Sequence, residues 1–292
     1  MAGILAPILI YGTLFGLTYV LIALGFTLLF GISRVLNVAY GALYMVTGYM
    51  VYWLVDELGF NLLLSAVIAV GVAILVGVAI FLLCVRFAPD PLRFLIVSFM
   101  FALLLQYLFS YYFHGASGFI IPSLIPIQGI LVFGVSVNPV YIVTSVVALV
   151  LLLVLWVWIE WTEYGHTIRA TAEDPETAAL FGIRVRRVYL IVVVVSSALV
   201  ALAAVLIVPA TEVVPTMWIE PFVIAFVVAV IGGLGNFKWT LPAAFLLSFS
   251  QEIVAFEYPT SSSLTDIVAF GVAICFIVGL PRGFGGLLRE SA

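Results

Sequence analysis

Residues 160–187 read EWTEYGHTIRATAEDPETAALFGIRVRR, the one long polar run in a chain of 292 residues that is 66% hydrophobic and 8% charged. The run holds four of the ten Lys and Arg residues (Arg169, Arg184, Arg186 and Arg187) and five of the fourteen Asp and Glu residues. A soluble domain carries about a quarter charged residues, so this composition excludes a water-soluble fold. Apolar stretches of about 18 residues or more recur on both sides of the run, each long enough to cross a bilayer as a helix. A β-barrel would show short alternating segments instead. The chain therefore reads as an all-α, polytopic helical membrane protein. One membrane domain fills 1–292, and 160–187 is its one obvious place to meet something soluble.

Working outward, nine hydrophobic segments fall at about 8–30, 38–55, 62–85, 93–113, 139–159, 188–209, 217–235, 239–256 and 264–281, giving about eight or nine transmembrane helices. With the N-terminus outside, every basic residue lands on one side: Arg34, Arg86, Arg93, Arg169, Arg184, Arg186, Arg187, Lys238, Arg282 and Arg289. Asp56, Glu57, Glu212, Glu220, Glu257 and Asp266 fall on the other. Basic residues mark the cytoplasmic face, which puts 160–187 and the C-terminus inside. Segments 38–55 and 217–235 are short and are candidates for broken or re-entrant helices. The N-terminus lacks a basic leader and its apolar stretch is too long for a cleavable signal, so the first span is expected to stay. Cys84 and Cys275 both lie in apolar runs and read as buried packing residues, not as a disulfide or metal pair.

Inside the polar run, Asp174 suits an N-cap, Pro175 the first helical turn and Glu176 the positive end of the helix dipole. Residues 177–181 continue a short helix that Gly182 can close. A helix so short is marginal alone in water, so something must hold it. A surface helix pinned to lipid by Arg184, Arg186 and Arg187 is the plainer alternative. The acidic, small-residue face argues against it, because the cytoplasmic leaflet is anionic. Trp156, Trp158 and Trp161 before the run fit an interfacial aromatic belt.

Elsewhere the polar residues are few. Arg34 near a helix end reads as a snorkelling side chain. Asn37 either caps the second helix or faces an internal path. Gln106 reads either as an interhelical hydrogen bond or as a solute ligand. The cluster Gly232, Gly233, Gly235 and Asn236 lacks the Lys-Ser/Thr ending of a phosphate loop. It is either tight packing at a turn or a broken helix lining a path. Glu252 is too costly to face lipid, so it is expected to face protein or water near the outer mouth. Residues 115–118, GASG, match the serine motif of rhomboid proteases, but no histidine base stands within reach and a turn explains them better.

Three stretches carry a family resemblance over nearly the whole chain. Residues 31–41, GISRVLNVAYG, are similar to the glycine–asparagine segment of the permeases of branched-chain amino-acid ABC importers, with Val38 and Tyr40 where that family usually has Phe and His. Residues 169–183, RATAEDPETAALFGI, resemble its cytoplasmic loop, and 230–236, VIGGLGN, its late glycine cluster. The resemblance implies a non-enzymatic, pore-forming subunit in the cytoplasmic membrane, surrounded by lipid and binding no nucleic acid. Its partners would be a second homologous permease, two ATP-binding subunits that hold the ATP and Mg, and an external solute-binding protein. The chain itself would need no cofactor or metal.

Residues 173–182 would form the coupling helix. Its expected contacts are Glu173, Asp174, Pro175, Glu176, Ala178, Ala179, Leu180 and Gly182. The path-lining candidates are Asn37, Gly41, Gln106, Gly232, Gly233 and Asn236. Relatives that carry urea or short amides share these motifs, so the solute stays open. A secondary transporter driven by an ion gradient would instead show carboxylate, His or basic relays at mid-membrane, and the spans are nearly free of them.

Overall fold

The computed structural model describes residues 2–279 apart from 89, 114–117, 120, 122–128, 133, 234, 236 and 258–261. Eleven α-helices appear among these residues: α1 (Ala2–Ser33), α2 (Ala39–Tyr52), α3 (Leu62–Phe87), α4 (Pro91–Tyr112), α5 (Pro139–Trp161), α6 (Glu163–Glu173), α7 (Pro175–Leu180), α8 (Val185–Ile207), α9 (Ile219–Gly232), α10 (Thr240–Glu257) and α11 (Ser262–Gly279). Nine match the hydrophobic segments read from the sequence to within three residues at each end, except that α1 starts six residues earlier, while α6 and α7 fold from the polar run. Local chemistry sets their starts. Asn61 Oδ1 accepts from Leu63 N at 3.0 Å to open α3, and Asn138 Oδ1 accepts from Val140 N at 3.0 Å to open α5. Pro91 and Pro139 stand in first turns, where a missing N–H is harmless.

Six of the described helical stretches are long and apolar enough to cross a membrane. The chain is a multi-pass helical membrane protein. The segments 38–55 and 217–235 do not form single full-length α-helices. α2 and α9 have 14 residues each, about 21 Å at 1.5 Å per residue, against about 30 Å of hydrocarbon. α2 is prolonged by a π-helical turn, Trp53–Glu57. Both short helices start at depth. The Val38 N–H donates to Ser98 Oγ at 3.1 Å, seven residues or about 10 Å into α4. The Trp218 Nε1–H donates to Gln106 Oε1 at 2.7 Å, six residues or about 9 Å from the other end of α4. The chain thus dips into the bundle before α2 from one end, and before α9 from the opposite end.

These two dips belong to a larger regularity that the sequence does not display. α1 packs on α10 and α9 as α8 packs on α3 and α2. α2 packs on α3 and α4 as α9 packs on α10 and α11, and α1 meets α8 while α2 meets α9. The set α1–α4 therefore maps onto α8–α11, with the two sets running in opposite senses, the arrangement of an inverted repeat. α5 packs on α1 and α8, the leading helices of both halves.

Small residues bring the helices together, since lipid supplies no hydrophobic drive between them. Phe249 and Phe245 of α10 lie over Gly12 and Gly16 of α1, and Ser248 Oγ donates to Gly12 O at 2.8 Å. At the far end of α1 a Cβ on Gly31 would lie 2.9 Å from Gly235 Cα, so main chain touches main chain there. Gly235 has φ +84, a turn conformation glycine takes without strain. α2 is interior, with 12 of its 14 residues buried.

Among the described residues, one hairpin departs from the all-α expectation. Ile130–Val132 and Val135–Val137 pair as an antiparallel hairpin around Gly134, whose φ is +82. Alternating Val-Ser-Val suits a half-buried strand. Tyr11 Oη donates to Ser136 O at 2.6 Å and pins the hairpin to α1. Cys84 is buried and Cys275 exposed. The described residues include no cluster of three His, Cys, Asp or Glu able to hold a metal. Arg282, Arg289 and most of the GASG motif lie outside the described residues.

Candidate functional site

The polar run folds as a bracket of two short helices. Thr162 closes α5 and opens α6: its hydroxyl donates to Trp158 O and accepts from Gly165 N at 3.1 Å. Asp174 breaks the run in extended backbone, φ −149 and ψ 102, and then caps α7. Its Oδ1 accepts from Glu176 N at 3.0 Å and Thr177 N at 3.2 Å, and Thr177 Oγ1 donates to Oδ2. The hydrogen bonds from Thr177 hold the Asp174 carboxyl below its ordinary pKa, since they favour the charged form. Gly182, at φ +84, ends α7. Its N–H bonds Ala179 O at 3.0 Å and the Ile183 N–H bonds Ala178 O at 3.1 Å, the paired bonds of a Schellman stop.

This bracket turns Ala178 into the bundle at 4% exposure and presents Leu180 and Phe181 outward at 88% and 83%. Glu173, Asp174, Glu176, Ala179 and Gly182 are also exposed, and Pro175 is half-buried. Phe181 was not among the expected contact residues. In the sequence it reads as the last helical residue, and only the Schellman turn shows that it projects. Arg184, Arg186 and Arg187 stand exposed beside the bracket.

The bracket is tied to the bundle by cations. Arg169 Nη1 pairs with Glu160 Oε2, and Lys238 Nζ lies 3.9 Å from Glu160 Oε1. Arg34 Nη2 donates to Ala172 O at 2.9 Å and to Glu173 O at 3.1 Å. Arg34 is therefore engaged by protein, whereas the sequence reading sent it to the lipid headgroups.

The path candidates fall in two places. Asn37 is buried at 6% exposure just before α2, and its Oδ1 has no hydrogen-bond partner among the described residues. It does not cap α2, whose N-cap residue is Val38. A Cβ on Gly41 would lie 2.5 Å from Trp218 O, so this glycine lets α2 meet the start of α9. Gln106 accepts from Trp218 there. Asn37, Gly41 and Gln106 thus gather where the two short helices begin. Gly232 and Gly233 lie at the other end of α9, with Gly232 packed on the Trp239 backbone and Gly233 at φ +90 closing the helix. Asn236 lies outside the described residues.

A cavity of about 660 Å³ opens between α1, α2, α9 and α10. Its walls include Thr18, Tyr44, Tyr141, Glu220, Gln251 and Glu252. Glu252 faces this space, as its cost in lipid requires. The lining residues come from six separated stretches, and no local pattern marks them. The size suits a small solute.

A multi-pass helical body with broken helices, a cavity and a capped bracket at its polar end fits a solute permease. Residues 8–279 match the family described as branched-chain amino acid transport system / permease component, and the chain belongs to that family. It is 30% identical over 291 residues to the high-affinity branched-chain amino acid transport system permease protein LivH of Escherichia coli K12, covering 94% of this chain and 93% of the relative. LivH of Salmonella typhimurium is 29% identical over the same shares, and BraD of Pseudomonas aeruginosa is 29% identical over 95% of this chain and 94% of its own. No solved structure matches the chain.

Proposed function

We propose that this chain is the membrane permease of an ABC importer for branched-chain or related amino acids. It would work in the cytoplasmic membrane with a second homologous permease, two ATP-binding subunits and an external solute-binding protein. Family membership supports the class. The observation that carries the mechanism is the bracket, a short helix stopped at both ends that holds Leu180 and Phe181 clear of the bundle. Two large apolar side chains so exposed at a membrane protein's polar end fit a groove on a soluble partner. ATP and Mg belong to that partner, which would press on α7 and change access to the cavity at the opposite end. With the N-terminus outside, the bracket faces the cytoplasm and the cavity faces the binding protein.

The test is uptake by proteoliposomes holding this chain, its second permease and both ATP-binding subunits, with the binding protein added outside. Uptake of labelled leucine, isoleucine or valine is expected to need ATP and to resist excess urea or acetamide. Strong competition by the amides assigns the solute to that class instead. Uptake driven by an imposed ion gradient without ATP overturns the importer reading.

A further inference from the structure

Arg34 stands between α1 and α2 with φ +52, the one non-glycine residue with positive φ among those described. Such backbone is uncommon for a residue with a Cβ, and glycine would take the turn unstrained. What arginine adds is reach. While the Arg34 N–H still closes α1 on Phe30 O at 2.8 Å, its guanidinium crosses to a segment 138 residues away. There it holds the carbonyls of Ala172 and Glu173, the last two of α6. Those acceptors have no partner within their own helix, and a cation suits that end of the helix dipole. The next residue is Asp174, the cap of α7.

On its other side Arg34 lies three residues before Asn37 and four before Val38, whose N–H meets Ser98 and fixes where α2 begins. A short route of four residues therefore runs from Arg34, at the α6–α7 corner, to the start of the buried helix. A second link is weaker. Glu160 holds Arg169 of α6 and approaches Lys238 beside the α9–α10 turn, but at 3.9 Å the lysine is beyond hydrogen-bond reach, whereas the Arg34 bonds, also exposed, close at 2.9 and 3.1 Å.

We infer that Arg34 is a positioning residue that passes movement of the α7 bracket to the start of α2. This rests on the reading above that an ATP-binding partner grips α7. The movement reaches the buried end of α2 through one charge-assisted pair of bonds.

The experiment measures solute moved per ATP hydrolysed in the reconstituted complex, for the native chain, Arg34→Ala, Arg34→Lys and Leu180→Asp. Co-purification of the ATP-binding subunits is scored for each. Arg34→Ala is expected to keep the partners bound and ATP hydrolysis running while solute per ATP falls about fivefold or more. Arg34→Lys is expected to recover part of the loss, because an ammonium can donate to the same carbonyls. An unchanged ratio in Arg34→Ala overturns the link. So does loss of partner binding or stability in Arg34→Ala that Arg34→Lys does not repair, since that describes a purely structural residue. Leu180→Asp is expected to shed the partners. If it leaves them bound and coupled, the grip on α7 is wrong, whatever Arg34 does.

Discussion

Asp174 shows how much one side chain can decide. With three bonds to residues 176 and 177, it turns a polar run into two helices at an angle. Because its folded pKa lies below the ordinary carboxylate value, the cap contributes fully above that value and is lost as pH falls through the lower folded one. Protection of the Glu176 and Thr177 amides, their exchange rates corrected for the intrinsic pH dependence, is expected to hold from neutral pH down to the ordinary carboxylate range and to fall below it. In Asp174→Asn, which keeps an acceptor but not the charge, that acid step is expected to vanish. Asp174, Pro175 and Gly182 were legible because capping is local. Arg34 was not, because its partners lie 138 and 139 residues away and no window of sequence holds both.

At the scale of elements, hydrophobic runs located nine helices, since each run is continuous and bounded by charge or glycine. The shortness of 38–55 and 217–235 marked both as candidates for broken or re-entrant helices, but not where within the bundle α2 and α9 start. The signs were present, in Asn37 and in Pro215 with Thr216, but polar residues before an apolar run also mark an ordinary loop. The hairpin 130–137 was missed for a related reason: three-residue strands carry too little periodicity to see. The meeting of α2 and α9 at Gly41 gives a direct check. Because the nearest atom to an added Cβ is the Trp218 carbonyl, main chain that cannot swing aside, Gly41→Ala is expected to lower stability by about 1–3 kcal/mol. Thermal unfolding in detergent measures it. Gly71→Ala, where nothing lies within 4 Å, is the control and is expected to be neutral or slightly stabilising.

For the whole molecule, the inverted repeat explains why two short helices appear and why they dip from opposite ends. Its halves share packing partners, not residues, so it could not be read from the chain by self-similarity. It makes a sided prediction. In a background without Cys84 and Cys275, a cysteine at Arg34, exposed in the turn before α2, is expected to react with an impermeant thiol reagent only from the side that labels Thr177→Cys. A cysteine at Thr216 is expected to react only from the other. Labelling of both from one side would break the proposed topology.

The touching backbones of Gly31 and Gly235 have a bearing on how that end of α1 is held. They close the seam between α1 and the α9–α10 turn as a mortarless joint, main chain against main chain. A methyl group at either glycine would meet main chain within 3 Å, at 2.9 Å when added to Gly31 and 2.6 Å when added to Gly235, and wedge that joint apart.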